Sequence, residues 1–164
     1  MVWFRKRHFR AVVSALIADL TPQIEDAKGL LQVCQTEETP RAISEAGIAA
    51  LFAAHKSVLA ATNKESERAA ILPPVHESFL ARFGPIASQG SISDQGLVEL
   101  VARRLATYDS LMDSSLPNWQ YRLAEELYEN ISGKRSDTAL FAALGIAFLA
   151  RLNATADFVK KVLH

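Results

Sequence analysis

The apolar residues of the chain are most concentrated between Ser136 and Leu152, where no charged residue follows Asp137 until Arg151. A helix of this composition presents no polar face to solvent, so the sequence predicts that it is covered on nearly every side. Crossing a bilayer requires about 20 predominantly apolar residues, and this stretch is shorter. The pattern therefore predicts the central helix of a soluble bundle or a self-association surface.

A second apolar helix is predicted from about Pro40 to Thr62. Thr39 followed by Pro40 is typical of a helix start, with threonine as the N-cap and proline at the first helical position. Apolar residues are spread around this helix, which favours a buried position over a surface position. Abundant alanine here and in the last helix allows close packing, so both are predicted to be central. The apolar residues are Ile43, Ile48, Ala49, Leu51, Phe52, Val58 and Leu59.

The other segments show helical spacing that is interrupted by proline and glycine. Pro73 and Pro74 predict the end of one short helix and the start of another, because the residue before a proline is disfavoured in the α region. Gly84 and Pro85 predict a helix end, and residues 84–96, which are rich in glycine and serine, predict an irregular loop. Further helix boundaries are predicted at Ser93, Pro117, Gly133 and Ser136.

No strand-like alternation and no repeat of constant period accompany these helical patterns. A chain of 164 residues fits one domain with a substantial core. The sequence thus predicts an all-α, single-domain bundle over residues 1–164, with about six or seven helices of which two alanine-rich ones are central.

Charge and cysteine content narrow the classes of partner and compartment. The 18 basic and 18 acidic residues cancel, so no overall field attracts the protein to nucleic acid, and no nucleic-acid partner is predicted. Cys34 is the single cysteine, which excludes an internal disulfide and favours a reducing, cytoplasmic location.

The first ten residues form a basic, aromatic segment that is predicted to be partly mobile. Such a composition suits peripheral contact with a membrane or an acidic partner. An ordinary helix with solvated charges is favoured, because stable membrane attachment generally needs a second anchoring signal. The basic residues of the segment are Arg5, Lys6, Arg7 and Arg10.

The sequence carries no recognisable catalytic, cofactor-binding or metal-binding motif. The four histidines are isolated from one another in sequence, so no metal site and no cofactor are predicted. His55 lies in an apolar helix, where a hydrogen-bonded core histidine is the favoured interpretation. Cys34 lies on an apolar helical face without a neighbouring base, which favours a small core residue over a nucleophile.

The leading functional hypothesis is a non-catalytic module that binds a protein partner or itself. An excess of apolar helical surface without catalytic residues favours it. The interface is predicted at the small residues of the last helix, Ala143, Ala147 and Ala150.

Two alternatives stay open at this stage. The first is a pocket for an apolar small molecule, because ligand sites in helical bundles form between facing helices. The second is an enzyme of unknown class that uses His55, or His76 with Glu77, as acid and base. The pocket is predicted to be lined by Phe52, His55, Tyr108, Trp119 and Phe148.

Overall fold

The computed structural model describes residues 10–163 apart from positions 12, 16, 19–20, 23–26, 114 and 136. Every regular element in this described part is a helix, which confirms the predicted all-α bundle. Described residues between positions 10 and 22 are helical as well. The remaining helices are α1 (Lys28–Val33), α2 (Pro40–Ala61), α3 (Glu65–Gln89), α4 (Asp94–Leu111), α5 (Trp119–Ser132) and α6 (Thr138–Leu163).

Helix α2 is the buried centre of the bundle, as its apolar pattern predicts. The Thr39 hydroxyl accepts a hydrogen bond from the Ala42 amide and Pro40 opens the helix, so the predicted start is confirmed. Buried residues occur on all sides of α2, which contacts each of the helices α1 and α3 to α6. Most of the buried residues are alanine, glycine or serine, and such small side chains let neighbouring helices approach closely.

Helix α3 is one continuous helix that contains three prolines, so the predicted breaks at Pro73 and Gly84 are wrong. An internal proline removes a backbone hydrogen bond and disfavours a helix by about 3 kcal/mol. Tertiary packing offsets this cost, because apolar side chains at every fourth position form a buried stripe. The irregular loop shrinks to residues 90–93, and Ser93 caps α4 as predicted. The stripe consists of Ile71, Val75, Phe79, Phe83 and Ala87.

Gly47 of α2 lies directly against Phe83 of this stripe. A Cβ atom added at Gly47 would lie 2.8 Å from Cδ1 of Phe83, and two further ring atoms would be closer still. The Phe83 ring is itself stacked on Phe79, with 4.7 Å between the ring centroids. The ring therefore has little room to move away, and glycine is required for this helix pair.

Replacing Gly47 by alanine is expected to lower the free energy of unfolding by about 1–2 kcal/mol, because overpacking outweighs the higher helix propensity of alanine. Gly29→Ala in α1 is the matched control, since a Cβ atom there meets nothing within 4 Å. The control is expected to raise stability by up to about 1 kcal/mol. Urea denaturation followed by circular dichroism measures both values. Similar effects of the two substitutions would contradict the close approach of α2 and α3.

The end of α5 is fixed by a glycine and an arginine. Gly133 adopts a φ of 72°, the left-handed conformation typical of a helix stop, as predicted. The Arg41 guanidinium donates hydrogen bonds to the carbonyl oxygens of Asn130 and Ile131, at 2.6 and 3.1 Å. These bonds satisfy two of the last carbonyl groups of α5 and attach its end to the first turn of α2.

Helix α6 is buried on one face only, so the prediction that this segment is covered on nearly every side is wrong. At its inner face, Gly145 lies against Ala124 of α5, where an added Cβ atom would be 2.8 Å from the Ala124 Cβ. On the opposite face, Ile146 is 73% exposed. Hydropathy alone does not distinguish residues that their own chain covers from residues that it leaves exposed. The inner face consists of Phe141, Leu144, Gly145, Phe148, Thr155, Ala156 and Val159.

Helices α2 and α6 are both long and apolar enough to cross a membrane, by length and composition alone. In the apolar 18-residue segment of each helix, 78% of the residues are buried in α2 and 28% in α6. The composition of α2 is accounted for by its place in the core. At 26 residues α6 exceeds the stretch considered in the sequence analysis, and its exposed apolar side has no covering within the described part of the chain.

Candidate functional site

The exposed side of α6 forms a stripe without charged side chains. All of its residues are exposed except Ala147, which is half-buried. The interface residues predicted from the sequence, Ala143, Ala147 and Ala150, lie on this stripe, so the fold brings them to one accessible surface. We call the stripe the α6 outer face, and it consists of Ala139, Ala142, Ala143, Ile146, Ala147, Ala150, Asn153 and Ala154.

The α6 outer face has one large residue at its middle and small residues on both sides. Ala142 and Ala150 lie about one turn before and after Ile146, and Ala139 and Asn153 lie about two turns away. The pattern is therefore similar when it is read in either direction along the helix. Small residues at these spacings allow a second helix to pack at short distance.

Three of the five residues predicted to line a ligand pocket meet in the core. The Phe52 ring lies 5.3 Å from the Tyr108 ring and 6.1 Å from the Phe148 ring, between centroids. All three side chains are buried and pack on one another. Trp119 is half-buried at the start of α5, and His55 contacts a different residue, described below. The pocket at these five residues stays a prediction.

A buried ion pair joins α2 to α4, and the sequence analysis missed it. The Arg104 guanidinium donates to both carboxylate oxygens of Glu45, with the shortest N–O distance at 2.7 Å. Asn130 extends the network by donating to the Glu126 carboxylate and to the Tyr108 hydroxyl. Burial, together with the Glu45 charge, raises the pKa of Tyr108, which stays protonated. The signal in the sequence was Glu45 itself, the one acidic residue within α2.

Two histidines that are far apart in sequence meet between α2 and α3. Nδ1 of His55 lies 3.1 Å from Nε2 of His76, a hydrogen-bond distance between one protonated and one unprotonated nitrogen. Burial, with the nearby His76 and Lys56, lowers the pKa of His55, and burial lowers the pKa of His76. Both imidazoles are therefore neutral near pH 7. The contact was not predictable from the sequence, in which the two histidines are 21 positions apart, because it depends on how the two helices pack.

Acidification is expected to destabilise the protein through this histidine pair. Both pKa values are lower in the folded chain than in the unfolded chain, so the unfolded state binds more protons. Their contribution to stability is complete above about pH 6.5, the unfolded value, and is lost as the pH falls below it. Urea denaturation in the presence of a chelator, at about pH 7.5 and about pH 5.5, measures the loss. A His76→Gln variant with the same pH dependence as the native protein would contradict this assignment.

An apolar groove lies beside the histidine pair, between α3 and α4. One cavity of about 230 Å³ has His76 as its polar group and is otherwise apolar, with Phe79 and Leu105 among its walls. Leu80 and Val98 are shared with a second cavity of about 450 Å³. The two cavities are neighbours along the contact of α3 with α4, and we call them together the groove. The sequence did not predict them, because the prolines and Gly84 suggested a broken segment in this part of α3.

The remaining predicted positions are distributed as follows. Cys34 is buried, and burial raises the pKa of its thiol to about 12, so the side chain is a core residue without thiolate character at neutral pH. Arg10 is exposed, whereas Arg5, Lys6 and Arg7 lie outside the described residues, as does most of the basic segment. Glu77 is exposed and follows His76 on the outer side of α3.

The chain was compared with protein families, curated proteins and solved structures. No family model, no curated protein and no solved structure matches the chain.

Proposed function

We propose that the protein is a non-catalytic interaction module that pairs with a second copy of itself through the α6 outer face. The observation that supports the proposal is the low burial of the apolar part of α6, 28% against 78% in α2. A contiguous exposed apolar surface is typical of a site of association. The outer face is mostly alanine, which gives little hydrophobic gain at a lipid surface but permits close helix packing.

The symmetry of the face favours a second copy over an unrelated partner. A two-fold axis makes each interface residue contact the same surface on the other subunit, so the surface must be self-complementary. In an antiparallel pair centred on Ile146, Ala142 of one copy faces Ala150 of the other.

Sedimentation equilibrium of the full chain over a wide concentration range tests the proposal. We expect a reversible monomer–dimer equilibrium without higher species, because a closed two-fold contact leaves no free surface for further growth. A monomer at every concentration would exclude self-association through α6. A series of oligomers that continues to grow with concentration would exclude a closed pair.

The groove between α3 and α4 supports a second candidate function, the binding of an apolar small molecule. The supporting observation is a pair of neighbouring cavities that share Leu80 and Val98, the smaller of which is apolar apart from His76. Sites of this kind combine apolar walls with a few polar groups that orient the ligand. This candidate moves the pocket away from the aromatic residues that the sequence predicted.

Binding of a fluorescent anilinonaphthalene sulfonate tests this second candidate. An Ala102→Trp variant places a large ring in the groove, and Ala106→Trp is the matched control on an exposed position of α4 outside the cavity lining. We expect saturable dye binding that is lost in the first variant and kept in the second. Equal binding by both variants would locate the dye elsewhere and would remove the groove as a ligand site.

A further inference from the structure

The geometry of the histidine pair suits a shared metal ion as well as a hydrogen bond. The two facing nitrogens, Nδ1 of His55 and Nε2 of His76, are 3.1 Å apart. Two imidazole nitrogens that each lie about 2.0–2.1 Å from a tetrahedral Zn²⁺ are separated by about 3.3 Å. The distance between the two nitrogens is therefore close to the distance that a shared cation requires.

The protonation state of the pair is also suitable. A metal ligand must offer a lone pair, so each imidazole must be neutral, and burial favours the neutral form of both residues. The nearest charges are Lys56 and Asp109, which form an ion pair with an N–O distance of 2.6 Å. The Asp109 carboxylate offsets part of the effect of the Lys56 ammonium on His55.

We propose that His55 and His76 bind one divalent first-row transition metal ion, of the class of Zn²⁺, Ni²⁺ or Cu²⁺, which links α2 to α3. Imidazole is a favourable ligand for this class of metal. Within the described residues, no third His, Cys, Asp or Glu joins the pair. Water molecules supply the remaining ligands in this proposal. The inference rests on the contact between α2 and α3 and is independent of the proposed pairing through α6.

Isothermal titration of the full chain with ZnCl₂ and with NiCl₂ at about pH 7.5 tests the site. We expect one cation per chain, and a loss of affinity of about tenfold or more in His55→Gln and in His76→Gln. Glu77→Gln is the matched control, because Glu77 is adjacent in sequence but exposed on the outer side of α3. Unchanged affinity in both histidine variants, or no saturable binding by the native chain, would overturn the proposal.

A measurement on the native chain removes any dependence on whether the variants fold. Paramagnetic Ni²⁺ broadens the NMR signals of the imidazoles that bind it. We expect the signals of His55 and His76 to broaden first, ahead of those of His8 and His164. Broadening confined to His8 and His164 would overturn the proposal, because the metal would then occupy sites other than the contact between α2 and α3.

Discussion

Replacing Arg104 by methionine is expected to lower the free energy of unfolding by about 3 kcal/mol or more. The Glu45 side chain is only 5% exposed, and Arg104 satisfies both of its carboxylate oxygens. Methionine fills a similar volume but leaves the carboxylate buried without its cation. Removing one partner of a buried ion pair typically costs about 3–5 kcal/mol. Chemical denaturation of the native protein and the variant gives this value directly.

Two comparison variants show whether the buried carboxylate causes the loss. Arg103→Met changes the adjacent, exposed arginine of α4 and is expected to alter stability by no more than about 0.5 kcal/mol. The double variant Arg104→Met with Glu45→Met removes both charges and is expected to recover most of the stability. If Arg104→Met and Arg103→Met had equal effects, the ion pair would have no special role in the fold.

If the protein pairs through the α6 outer face as proposed, replacing Ala143 by glutamate is expected to abolish the pairing while leaving the fold intact. Ala143 is exposed in the isolated chain, so the new carboxylate is solvated there and the unfolding free energy of the monomer changes by no more than about 0.5 kcal/mol. In the dimer the same carboxylate would be buried against apolar side chains. Since each copy contributes one, the dimer affinity is expected to fall by about 100-fold or more.

Ala106→Glu is the matched control for this substitution. It introduces the same charge at an exposed alanine on α4, away from the α6 outer face, and is expected to leave the monomer–dimer equilibrium unchanged. Sedimentation of the three proteins at equal concentration makes the comparison. Dissociation by both substitutions would indicate a general effect of charge, and dissociation by neither would place the contact elsewhere.

The features of the fold that depend on local chemistry were predictable from the sequence. Thr39 and Ser93 cap their helices because a hydroxyl oxygen three residues before an amide suits that role in any fold. Gly133 ends α5 because its left-handed conformation is costly for other residues. The burial of α2 was predictable because apolar residues are spread around the whole helix and leave no continuous polar face for solvent.

The features that depend on packing were not predictable in the same way. Pro73 and Gly84 favour breaks locally, but the stripe that α3 packs on α2 stabilises one continuous helix. The contact between His55 and His76 depends on how two helices are aligned. Glu45 was visible in the sequence, but its partner Arg104 lies 59 positions away. Tertiary contacts of this kind leave no local pattern.

The candidate sites also differ in whether local sequence or tertiary packing determines them. The predicted interface residues Ala143, Ala147 and Ala150 share one surface, because helical spacing alone places them together. The predicted pocket residues were chosen for being large or polar, and three of them, Phe52, Tyr108 and Phe148, lie together in the core. A filled core and a lined cavity have the same composition, so only packing separates them.

Disulfide trapping of single cysteines on α6 tests whether two chains pair through the α6 outer face. Cys34 is buried with a pKa raised to about 12, so it does not compete with thiols at exposed positions. In an antiparallel pair centred on Ile146, an Ile146→Cys variant brings two thiols together. An Ala139→Cys variant leaves its thiols about 20 Å apart, beyond the reach of a disulfide. We expect a covalent dimer from Ile146→Cys and none from Ala139→Cys. Cross-linking of both variants alike, or of neither, would contradict the proposed pairing.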